Sequence, residues 1–164
     1  MDVEPEITQR AVQPYAGISA WVTMAAIGSV ADRIPEIFSW LGARGIAPAG
    51  PPFFRYHIID MDRQLQVEVG VPVASAVEDD GEIRAGTLPA GRFAVMTHSG
   101  APDTLMAATA ELLEWAKTRG LAWDVSPTDA GERWGCRLEF YLTDPAEQPD
   151  ASKWQTQLAF RLAD

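Results

Sequence analysis

The chain of 164 residues has one cysteine, two histidines and few basic side chains. A single cysteine, Cys136, excludes an intrachain disulfide and a cysteine-built zinc cage. That usage suits a reducing compartment, and the expected location is the cytoplasm. His57 and His98 stand in no HExxH or CxxC spacing, so no metal site is expected. The glycines form neither GxGxxG nor a phosphate-binding loop, and no cofactor is expected. Lysine and arginine number 13 against 23 aspartate and glutamate, a net charge of −10. Nucleic-acid surfaces need clustered Lys and Arg, so neither nucleic acid nor an anionic membrane is an expected partner. A neutral or cationic small molecule is. No apolar run approaches the ~18 residues that span a bilayer. The opening MDVEPEITQR is acidic and lacks the apolar stretch of a signal peptide.

What is present is a repeat. WLGARGIA from Trp40 and WAKTRGLA from Trp115 share Trp, Arg, Gly and Ala in register, an offset of 115 − 40 = 75. The same shift carries Pro14 of PYAGISAWV onto Pro89 of PAGRFAVMT. The expectation is one domain over 1–164 with internal repeats at about 12–73 and 87–144 and a C-terminal extension at 145–164. Two copies exclude a solenoid and favour a pseudo-two-fold domain.

Each half reads strand, helix, strand, strand. Ala16, Ile18, Ala20 and Val22 alternate with Tyr15, Gly17, Ser19 and Trp21, the period of a strand. Ile27, Val30, Ile34, Ile37, Phe38 and Leu41 follow at helical spacing, with Pro35 expected to kink or split the helix and Gly45 to end it. PFFRYHIID and QLQVEVGVPV are two strands around a tight turn at 61–63. In the second half a strand at 91–97 precedes a helix over about 102–119, stopped by Gly120. A short strand at 123–126, a loop DAGER and the strand RLEFY complete it, and the tail KWQTQLAFRLAD reads as an edge strand. The pattern predicts an α+β fold, an antiparallel sheet with helices on one face. The opposite face is then expected to be free, with a ligand cleft along the pseudo-axis between the halves.

Glu68 in LQVEVGVPV and Glu139 in RLEFYLTDP look like matching carboxylates on the polar sides of strands, facing away from the helices. Two solvated strand residues would give the same pattern. The neighbours argue for more, because Trp21, Arg137, Tyr141 and Tyr56 fall on that side, and grouped aromatics are seldom left to solvent. Aromatic walls around one carboxylate suit a flat cationic or amphipathic ligand through stacking, cation–π contact and charge pairing. A buried carboxyl there has a raised pKa and the capacity for general-base work. Cys136 alternates onto the apolar side and reads as a buried, inert thiol.

In their order, PYAGISAWV, WLGARG, PPFFRY, VEVGVPV, AGRFAVMTHSG and RLEFYLTDP resemble the GyrI-like small-molecule-binding domain. That domain is also the effector-sensing half of multidrug-responsive transcription regulators. The resemblance implies two similar halves with a ligand cleft between them. It makes Glu139 the cleft carboxylate, Tyr56, Trp21 and Tyr141 wall residues, and His98 with Gly100 a turn beside the cleft. No helix-turn-helix precedes Pro14, so the chain reads as the sensing module by itself. Some stand-alone members of the family hydrolyse cyclopropane-bearing DNA alkylators with a cleft glutamate and an aromatic partner. The resemblance therefore leaves three readings: a small-molecule binder, a hydrolase with Glu139 and Tyr141 as its catalytic pair, and a gyrase-directed inhibitor.

Overall fold

The computed structural model describes residues 4–164. The period-two stretches form strands β1 (Glu6–Arg10), β2 (Gln13–Val22), β3 (Phe53–Ile59), β4 (Leu65–Pro72), β5 (Arg84–Leu88), β6 (Gly91–Ser99), β7 (Val125–Thr128), β8 (Gly131–Trp134), β9 (Arg137–Tyr141) and β10 (Gln155–Arg161). They make one antiparallel sheet in the order β1-β6-β10-β9-β3-β4-β2-β5, with the β7–β8 hairpin joined to β3 through β8. The helices are α1 (Gly28–Ala31), α2 (Ile34–Ala43) and α3 (Leu105–Thr118), so the class is α+β. Pro35 splits the first helical run: it sits in the first turn of α2, where its missing N–H has no partner to lose. Gly45 and Gly120 end α2 and α3 at φ of +67° and +68°, a left-handed conformation that favours glycine.

The connectivity is two-fold. β3 and β9 meet at the centre, flanked by β4 and β10, then β2 and β6, then the edges β5 and β1. Three expectations need correction here. The tail is not an edge: β10 lies between β6 and β9 and is the counterpart of β4. A uniform shift of 75 would carry Leu65 of β4 to 65 + 75 = 140, inside β9, whereas the topological counterpart starts at Gln155. Loop lengths differ between the halves, so the shift aligns the first strand and helix of each half and then fails. Glu68 on β4 and Glu139 on β9 are therefore not equivalent positions. The segment DAGER, expected as a loop, supplies the turn of the β7–β8 hairpin and the start of β8.

Directly paired residues of an antiparallel ladder point to the same face. One row runs Ile18, Val69, Phe54, Glu139, Leu158, Met96 across six strands. Ile18, Val69 and Phe54 pack with Val30, Ile37 and Leu41 of α1 and α2. Leu158 and Met96 pack with Ala108 and Leu112 of α3. Both helical layers thus cover one face, and Glu139 is the one charged member of the row, at the seam between them.

The opposite face is not free, contrary to expectation. Tyr15, Phe53, Phe93, Leu138 and Phe140 build a second core there, drawn from both halves of the curled sheet. Glycine lets the rings lie flat on that face. A Cβ at Gly70 would come 2.5 Å from a ring carbon of Phe53, closer than two carbons can pack.

Candidate functional site

With the second face filled, the open space lies on the helix side. A cleft of about 1500 Å³ runs between α1–α2 and α3, above the central strands. It exceeds the ~300–1,000 Å³ common for small-molecule pockets, as suits a large ligand. Met24, Ile27 and Phe38 line one wall and Met106 the other, while Phe54 and Glu139 lie on the floor. Met106 is 71 % exposed, and Phe38, Met61 and Leu142 also leave large apolar surface at the margin. An apolar rim around a polar floor marks a binding surface. The methionines add side chains that adapt to ligand shape.

Tyr56, Arg137, Glu139 and Tyr141 line this cleft. Alternation puts Arg137, Glu139 and Tyr141 of β9 on one face, and Tyr56 joins them two residues after Phe54 on β3. Tyr56 Oη donates to Glu139 Oε2 at 3.3 Å and Tyr141 Oη donates to Oε1 at 3.4 Å. Both contacts are long for O–H···O bonds. Glu139 is only 9 % exposed. Burial pushes its pKa above the ordinary carboxylate range, and the Tyr56 bond, the Arg137 charge and the Tyr141 bond counter this only in part. Burial followed by the Glu139 charge also raises the pKa of both phenols, which remain proton donors.

Trp21, Glu68 and His98 do not line the cleft. Trp21 is 48 % exposed on the other side of β2. Glu68 does face away from the helices, as its alternation with Leu65, Val67 and Val69 requires. The cleft, however, is on the helix side, so the sheet separates Glu68 from Glu139. Glu68 is instead a buried residue with short bonds to one carboxylate oxygen. Tyr15 Oη donates to its Oε1 at 2.6 Å, His57 Nε2 lies 2.8 Å from the same oxygen, and Arg55 donates to Tyr15 Oη at 3.1 Å. Alternation puts His57 on the side of Arg55, which pairs with Glu68, just before the β3–β4 ladder shifts register at Ile58. Burial works against the Glu68 charge, but the His57 and Tyr15 bonds outweigh it and hold the pKa below the usual range. His98 is buried on the helix face, where Nε2 pairs with Thr104 Oγ1 at 2.6 Å beside the start of α3.

Sequence reasoning passed over Met24, Phe54, Met106 and Glu132, all of which line the cleft. The one available signal was in β9. Leu138 and Phe140 are bulky at one parity and Tyr141 at the other, which fits a strand covered on both faces rather than one with a wet side. Among the described residues no group of three or more His, Cys, Asp or Glu could hold a metal ion. Nor, among the described residues, is any helix long and apolar enough to cross a membrane.

A family model for the GyrI-like small molecule binding domain matches residues 3–163. No curated protein matches the sequence. Among solved structures, the C-terminal domain of EcmrR superposes with a TM-score of 0.77 at 18 % identity, covering 98 % of each chain. In the EcmrR–DNA complex the match has a TM-score of 0.76 at 17 % identity, and it covers 98 % of this chain but 57 % of the regulator's. SAV2435 bound to tetraphenylphosphonium gives 0.66 at 12 % identity, covering 98 % of this chain and 94 % of the other. A hydrolase from Listeria innocua gives 0.67 at 15 % identity, covering 98 % and 92 %. At these identities the likeness establishes the fold.

Proposed function

The chain belongs to the GyrI-like small molecule binding domain family, and from that premise we propose that it binds flat amphipathic or cationic aromatic compounds in the helix-side cleft, for sensing, sequestration or resistance. The observation that carries this reading is the contrast between two buried carboxylates in one sheet. Glu68 has short bonds and a lowered pKa, as a structural residue should. Glu139 has only long contacts and a raised pKa, and it opens onto an apolar cleft. A cation beside Glu139 supplies the missing partner, while Tyr56 and Phe54 offer ring faces. SAV2435, which shares the fold, binds a lipophilic aromatic cation, in keeping with this proposal.

The same carboxyl supports a second reading, hydrolysis of cyclopropane-bearing genotoxic compounds. Glu139 in its ionised form takes a proton from water, whose oxygen bonds to a ring methylene carbon. The strained C–C bond breaks, and its electron pair passes into the conjugated carbonyl, which gains a proton as it becomes a phenol. A raised pKa makes the ionised carboxylate a stronger base, and the Tyr141 hydroxyl orients the carboxylate or the substrate.

Calorimetric titration with tetraphenylphosphonium tests the first reading, using wild type, Glu139→Gln and Trp21→Ala. Binding that Glu139→Gln weakens and Trp21→Ala leaves alone is expected. Wild type that binds neither this cation nor a flat amphipathic aromatic dye sinks the reading. Incubation with a cyclopropane-bearing alkylator tests the second: ring-opened product from wild type but not from Glu139→Gln makes the protein an enzyme. Turnover equal in both removes Glu139 as the base.

A further inference from the structure

Arg137 precedes Glu139 by two residues on β9, on the same face, and lines the same cleft. Three rings hold its guanidinium. Its central carbon lies 4.6 Å from the ring centre of Phe160, 4.7 Å from Trp134 and 5.6 Å from Tyr56. Stacking engages the faces of a planar cation and leaves its N–H edges to find acceptors. Among the described residues none does so: Arg137 makes no hydrogen bond or ion pair, and its Nε is buried without a partner. Glu132 and Glu139 act on it through space without touching it. A buried donor that lacks an acceptor costs about 1–3 kcal/mol, so this arrangement favours an occupant that brings one.

The cleft therefore holds two opposite charges that do not satisfy each other. Alternate residues on a strand stand roughly 6.5 Å apart, and of their aromatic neighbours the two side chains share only Tyr56. A simple cation gains from Glu139 but is repelled by Arg137. A molecule with both a cationic and an anionic group gains at both ends. We propose that the cleft selects zwitterionic flat aromatic ligands, with Arg137 taking a carboxylate through paired N–H donors and Glu139 taking the cationic end. Arg137 is then the specificity-determining residue. This rests on the ligand-binding reading above and narrows its ligand class.

Two dyes with one ring system separate the possibilities. Rhodamine 110 carries a free carboxylate and is zwitterionic, whereas rhodamine 123 is its methyl ester and a cation. Fluorescence anisotropy is expected to show rhodamine 110 binding wild type about tenfold or more tighter, the scale of one charge-assisted pair. Arg137→Met should abolish or reverse that preference, and Arg137→Lys, which keeps the charge but not the fork, should retain part of it. Equal or tighter binding of the ester by wild type overturns the inference, and that ratio stands even if Arg137→Met fails to fold. Tetraphenylphosphonium binding with neither dye bound also overturns it and leaves the broader reading intact. Binding of none of the three overturns both.

Discussion

Replacing Glu139 with glutamine should make the protein more stable and a poorer cation binder. The carboxylate is buried with two phenol contacts at 3.3 and 3.4 Å, short of the two or three good hydrogen bonds that keep a buried carboxylate charged. Its folded pKa is raised, so in the interval above the ordinary carboxylate pKa the native state holds a proton that the unfolded state has released. Stability then falls as pH rises through that interval. Glutamine keeps the shape and hydrogen-bonding capacity without the charge. Its advantage should be absent at low pH, where Glu139 is neutral, and should reach about 1–3 kcal/mol once the wild-type carboxyl is ionised. For a domain of this size that is roughly 2–12 °C in melting temperature. Wild-type affinity for tetraphenylphosphonium should rise with pH across the same interval. Glu139→Gln should lose both that rise and roughly 10- to 150-fold in affinity, since a charge-assisted contact contributes about 1.5–3 kcal/mol. Thermal melts from pH 5 to 8 and calorimetry at each pH make the measurement. A variant less stable than wild type at every pH, or cation affinity that ignores both pH and the substitution, would refute the reasoning.

The opposite substitution tests the contrast between the carboxylates. Glu68→Gln should destabilise by about 1–3 kcal/mol, because Tyr15 and His57 lose a charged acceptor, and should leave tetraphenylphosphonium affinity within twofold of wild type. Its lowered pKa predicts that the Glu68 contribution, present above the ordinary carboxylate pKa, is lost as pH falls through the folded value, so variant and wild type should converge in acid melts. Gly86→Ala places a Cβ against the Tyr15 ring and should cost about 1–3 kcal/mol by denaturant titration, with binding unchanged. The Cys136 thiol, fully buried with its pKa pushed up to about 11 by that burial, should resist alkylation in the native protein and react once denaturant unfolds it. Labelling under native conditions at the rate of a free thiol would contradict this placement.

Much of the fold was legible because periodicity is local. The alternation in VEVGVPV and RLEFY fixes which residues share a face, and Gly45 and Gly120 mark helix ends because few other residues adopt their φ. The grouping of Arg137, Glu139 and Tyr141 follows from the same period. The composition of β10 shows a strand, but nothing local says whether it has one neighbour or two. Its place between β6 and β9 depends on pairing partners 15 to 68 residues away.

By itself, then, the sequence determined the elements, their class and the side-chain grouping on each strand, since these depend on neighbours within a few residues. For β9, covered on both faces, it could not determine which face meets the helices, and Glu139, expected to face away from them, lies on their side. That choice belongs to the register, where a slip of one residue exchanges the faces. Here the register sets Glu139 in one row with Ile18 and Met96, under the gap between helical layers, and sends Glu68 to the second core. Two glutamates alike in sequence pattern thus came to opposite fates, one satisfied and structural, the other loosely held at the floor of a cleft. Only the tertiary pairing of distant strands distinguishes them.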